Sequence, residues 1–131
     1  MLKRKVMSQL WNWKKQEKKK SLLVLGARQV GKTYAVQAFG KSAYKEMLYI
    51  NFKESNSDRS IFTGDLTVAS MITAMRFRYP NLQFIPGEIL IFLDEIQECP
   101  EAITSLKFWT LDGQFDIIAS GSLLGIDYQR A

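Results

Sequence analysis

The sequence has no histidine and a single cysteine, Cys99. The first absence excludes imidazole-built metal sites and Ser-His or Cys-His nucleophilic catalysis. The second excludes an internal disulfide and fits a reducing, cytoplasmic setting. Long apolar runs are missing as well. The longest strong one, residues 89–93, has five residues, far short of the ~20 that span a bilayer, so no membrane span is expected. No apolar segment of 7–15 residues follows the basic N-terminus, so a secretory signal is not expected. Any chemistry must therefore rest on carboxylates, lysine, arginine, hydroxyls and backbone groups, with a metal, if one is used, held by oxygen.

What is present is 131 residues, 47% apolar and 12% aromatic, enough for one domain with a proper core. The net charge of +5 is uneven. Residues 1–20 carry eight Lys/Arg against Glu17, a net of +7, and the remainder is net −2. A near-neutral body with a basic head is not a uniformly basic nucleic-acid binder. Leu2, Val6, Leu10 and Trp13 recur at helical spacing, which predicts a helix over 2–16. Residues 1–20 then read as a basic helix packed on a body formed by 21–131. Two sharper readings of the head stand beside that one, an arm for nucleic acid and a membrane-surface contact. Trp11 and Trp13 are two apart and point to different sides.

Beyond the head, strands and helices alternate. Strands are expected at 21–25 (SLLVL), 47–52 (MLYINF), 89–93 (ILIFL) and 115–120 (FDIIAS), the last broken by Gly121. Helices are expected at 32–39, stopped by Gly40, at 65–79, capped by Asp65 and ended by Pro80, and at 100–111, with Pro100 in its first turn and Gly113 beyond. Residues 53–60 (KESNSDRS) read as a loop. Such alternation implies an α/β domain with a mostly parallel sheet, and ligands of such sheets bind outside the carboxyl ends of the strands.

Three residue sets fall at those ends. Gly26-Ala27-Arg28-Gln29-Val30-Gly31-Lys32-Thr33 matches G-x-x-x-x-G-K-[ST] in full, between an apolar run and a helix. Such a loop turns backbone N–H groups and a helix N-terminus towards phosphates. Lys32 would reach the β- and γ-phosphates, and the Thr33 hydroxyl would ligate Mg²⁺. Residues 90–95 (LIFLDE) follow the Walker B pattern: Asp94 would hold the cation, and Glu95 would orient and deprotonate a water. Ser120-Gly121-Ser122 forms the third set. There Ser120 either touches the γ-phosphate or attacking water, or simply begins a turn. Arg28, Arg59, Arg76, Arg78 and Arg130 are possible charge stabilisers that no spacing rule separates, although Arg76 and Arg78 read as solvated helix residues. Cys99 precedes a helix N-terminus, where a thiol pKa can fall, although packing is the plainer role. An N/T-K-x-D motif is absent, which excludes Ras-type GTPases.

GARQVGKT, LIFLDEIQECP and IIASGSLLG, in that order, resemble the prokaryotic AAA-domain ATPases that carry a C-terminal domain of unknown function. The resemblance implies ATP and Mg²⁺ as ligands. It also implies a P-loop NTPase three-layer sandwich, with the fourth strand lying between the loop strand and the Walker B strand. Residues Gly26 to Thr33 become the nucleotide loop, with Lys32, Glu95 and Ser120 catalytic and Thr33 and Asp94 on the metal. Family members are longer, so about four strands are expected here, with the loop strand at an open sheet edge available for self-association.

Overall fold

The computed structural model describes residues 2–17, 19–26 and 30–122. Four strands, β1 (Leu22–Gly26), β2 (Glu46–Asn51), β3 (Ile89–Asp94) and β4 (Asp116–Ser122), form one sheet in the order β1-β4-β3-β2. Every pairing is parallel. The expected α/β architecture is present, with β4 between β1 and β3 and β1 at an edge among the described strands.

Helices α1 (Leu2–Lys14) and α2 (Val30–Ala43) cover one face, and α3 (Val68–Arg78) and α4 (Pro100–Asp112) cover the other. Strand periodicity explains how one run feeds both cores. Leu90 and Phe92 pack with Leu10, Val36, Phe39 and Ile118, whereas Ile89, Ile91 and Leu93 pack with Met71, Met75, Ala102 and Trp109. β3 is buried along its whole length, and each such apolar side chain contributes about 1.5–3 kcal/mol. Leu10 and Trp13 carry the stripe of α1 into this core. Trp11 stays more than a third exposed, its ring edge-on to Phe39 at 5.3 Å.

Several boundaries differ from expectation for identifiable reasons. α2 runs past Gly40 to Ala43. A Cβ at Gly40 would run into the Met47 side chain and lie 3.0 Å from Leu90, so this glycine permits close passage over the sheet rather than ending the helix. α3 is capped by Thr67, whose hydroxyl accepts the Ser70 N–H at 3.1 Å, and not by Asp65. β4 continues through Gly121 to Ser122 because β1 pairs with it to the end, Leu25 opposite Gly121 and Gly26 opposite Ser122. The stretch 53–60 expected as a plain loop runs into a 3₁₀ turn, Asn56–Phe62, which buries Asp58 and, just beyond that stretch, Ile61 and Phe62. α4 begins at Pro100 and ends before Gly113, at φ 73°, as its sequence implies. No helix among the described residues is long and apolar enough to cross a membrane.

Candidate functional site

In a parallel sheet all carboxyl ends share one edge, so groups placed after different strands meet there. Register brings Asn51 level with Asp94, and Gly26 level with Ser122. α2 starts at Val30, directly beyond the β1 end. Lys32 and Thr33 in its first turn therefore lie over the tips of β3 and β4.

Asp94 is the hub. Its carboxylate is 3% exposed and accepts four hydrogen bonds. Oδ2 accepts from the Thr33 hydroxyl at 2.9 Å and from the Tyr49 hydroxyl at 2.7 Å. Oδ1 accepts from the Ser120 hydroxyl at 2.6 Å and from the Glu95 N–H at 2.9 Å. All four donors are neutral. No ion pair reaches this acid among the described residues. Burial, followed by the bond to Asp94, pushes the Tyr49 hydroxyl well above its ordinary pKa, so it stays protonated and donates.

Lys32 is half-buried, and its Nζ donates to the Gly121 carbonyl at 3.1 Å. No described atom lies within 4 Å of a Cβ built on Gly31, so packing does not account for a glycine at that place. Glu95 has φ 54° and ψ 46°, and is the non-glycine residue with positive φ among those described. Its Oε1 accepts from Gln97 Nε2 at 2.7 Å and lies 4.0 Å from Lys53 Nζ.

The structure thus joins Thr33, Asp94 and Ser120 directly, with Lys32 and Glu95 beside them. Of the loop residues, Ala27, Arg28 and Gln29 lie outside the described residues, as does the side chain of Val30. The sequence reading missed Tyr49, Lys53 and Gln97. The available signals were a tyrosine within the apolar run MLYINF and the place of Gln97 in LIFLDEIQECP, one of the stretches that carry the family resemblance. Arg59, Arg76 and Arg78 go elsewhere. Arg78 is not simply solvated: it bonds buried Asp58 at 2.7 Å. Arg76 donates to the Phe84 carbonyl, and Arg59 bonds Asn56 and the Phe52 and Glu98 carbonyls. Arg28 and Arg130 lie outside the described residues. Cys99 is buried, and burial pushes its thiol pKa up, opposite to an activated thiol.

The donor set suits a hard divalent cation. Such an ion takes carboxylate and hydroxyl oxygens, and here a carboxylate with no ion pair among the described residues touches the Thr33 hydroxyl. Comparison with known protein families shows that a family model described as an AAA domain fits residues 18–130. No curated protein matches the chain.

Proposed function

The chain belongs to the AAA domain family, a family of nucleotide-binding ATPase modules, and on that premise we propose that it binds Mg-ATP at the carboxyl edge of the sheet and hydrolyses it to ADP and phosphate. The observation that carries this reading is the setting of Asp94, a buried carboxylate that accepts four hydrogen bonds from neutral donors and has no ion pair among the described residues. Such a carboxylate is costly to bury, and a cation arriving with the nucleotide would relieve it.

In this reading Gly26, Ala27, Arg28, Gln29, Val30, Gly31, Lys32 and Thr33 hold the polyphosphate through backbone N–H groups and the Lys32 ammonium. Thr33 and Asp94 would hold Mg²⁺, which when bound supplies neutralisation of charge on the β- and γ-phosphate oxygens. Lys32 exchanges the Gly121 carbonyl, its present acceptor, for phosphate oxygen. Glu95 orients the attacking water and takes its proton. Ser120 fixes the Asp94 carboxylate from the side opposite Thr33 and Tyr49. The buried, unpaired Cys99 fits a cytoplasmic setting.

The test is titration of Mg-ATP into wild type and Lys32→Ala. The expected result is at least a tenfold loss of affinity, about 1.4 kcal/mol. Equal binding by both proteins would sink the proposal.

A second reading concerns the basic head. Lys14 lies over the Tyr44 ring and Lys19 pairs with Asp116, but Lys5, Lys15 and Lys20 are exposed. These support nucleic-acid contact through residues 1–20. Its signature is DNA binding that weakens steeply with salt and vanishes when Lys5, Lys15 and Lys20 become glutamine. The edge strand β1 also supports self-association by strand pairing, which sedimentation would detect as a concentration-dependent mass.

A further inference from the structure

Gln97 lies in the short 3₁₀ turn Ile96–Glu98, two residues beyond Glu95. Its amide spans two partners. Nε2 donates to Glu95 Oε1 at 2.7 Å, and Oε1 accepts the Ser122 N–H at 3.0 Å. Chemistry dictates that orientation, because a carboxylate only accepts and a backbone N–H only donates. Flipping the amide would break both bonds at once.

Glu95 needs such a hold. A left-handed backbone at a non-glycine residue costs about 1–3 kcal/mol and persists only where its neighbours over-determine it. The 4.0 Å approach of Lys53 joins two partly exposed groups and fixes little geometry. The far end of the bridge matters as well. Ser122 follows Gly121, whose carbonyl accepts from Lys32. Lys32 and, through Gln97, Glu95 therefore hold the same dipeptide at the tip of β4.

We infer that Gln97 is the positioning residue of the general base: it ties the Glu95 carboxylate to the β4 tip that also receives Lys32, so that base and phosphate-loop lysine share one reference point. The inference rests on the reading of Glu95 as the base. It names a role for a side chain that touches neither nucleotide nor metal in that reading.

The experiment uses the full chain. Phosphate release and Mg-ATP affinity are measured for wild type, Glu95→Gln, Gln97→Ala and the double variant. Gln97→Glu keeps the acceptor for Ser122, and Gln97→Lys keeps the donor for Glu95. Removing the bridge is expected to lower turnover about 10–100-fold, the usual cost of a misplaced catalytic group, with affinity unchanged within about twofold. Each half-bridge variant should stay well below wild type. The double variant should be no slower than Glu95→Gln alone, because the effect passes through that carboxylate. Amide exchange at Ser122 should quicken at least about tenfold in Gln97→Ala.

Full turnover in Gln97→Ala alongside an inactive Glu95→Gln would overturn the inference and leave the general-base reading intact. So would additive losses in the double variant, or a parallel loss of affinity. Should Gln97→Ala fail to fold, the two half-bridge variants decide the matter by the same criteria. Equal turnover in wild type and Glu95→Gln would remove the general base itself, and this inference with it.

Discussion

Two buried aspartates, Asp58 and Asp94, are equally hidden and oppositely equipped. Asp58 is 1% exposed and sits in the turn that the sequence presents as plain loop. It accepts from Arg78 at 2.7 Å, from the Tyr79 hydroxyl at 2.6 Å and from Ser55. Burial works against its ionisation, but the hydrogen bonds from Ser55, Tyr79 and Arg78, with the Arg78 charge, outweigh it and hold the carboxyl below its usual range. Asp94 accepts one hydrogen bond more, four against three, and has no cation among the described residues. Asp116, the third buried acid, resembles Asp58: Lys19 lies 3.5 Å away, and the Tyr44 hydroxyl donates to it at 2.5 Å. Hydrogen bonding alone therefore does not tell these acids apart. Among the described residues a protein counter-charge does, and in the proposed reading the cation for Asp94 arrives with the nucleotide.

Crossed substitutions would break that contrast most sharply. Asp94→Asn is expected to cut ATP turnover by about 10² or more through loss of the cation ligand. It should leave the urea midpoint unchanged or raised, since a buried uncompensated charge is gone. Arg78→Met is expected to do the reverse, lowering stability by about 3 kcal/mol in urea titrations because Asp58 is left unpaired. Its Mg-ATP affinity, measured by calorimetry, should match wild type. A smaller effect tests the donors: Tyr49→Phe should cost about 1.5–2 kcal/mol in metal-free protein, the worth of a hydrogen bond to a charged acceptor. Acid titration offers a further separation. Because Asp58 ionises below its ordinary value, its stabilising share is whole above the unfolded pKa of roughly 4 and drains as pH falls through the folded value. Wild type should lose stability over that window, and Asp58→Asn should be flatter across it. Lys19→Met should cost least, about 1 kcal/mol or below, since Lys19 stands 3.5 Å from Asp116 and gives its hydrogen bond to the Lys14 carbonyl, whereas Arg78 bonds Asp58 at 2.7 Å.

Much of the fold was legible because its signals are local. Apolar runs marked the four strands, and Pro100 and Gly113 bracketed α4. The phosphate-loop spacing and the acid at a strand end placed Lys32, Thr33 and Asp94, and strand-end logic added Ser120. What failed depended on contacts distant in sequence. Gly40 looks like a helix stop until Met47 and Leu90 are seen beneath it. Gly121 looks like a strand break until β1 is paired alongside. Asp58 hides in a polar stretch because its partner Arg78 is supplied by α3. Tyr49 carries no motif, and Gln97 lies in the LDEIQ stretch without a role that spacing assigns; only the meeting of β2, β3 and β4 gives them partners.

The order of the sheet has a kinetic consequence. Leu22 takes its place against Ile118, 96 residues further along. Nascent β2 and β3 can find each other early, but β1 must wait for β4 to emerge before it can dock upon it. Pairings so remote are slow to form. Lys32 follows β1 and Gly121 lies in β4, so the edge that would grip a nucleotide comes into being only when that remote pairing forms.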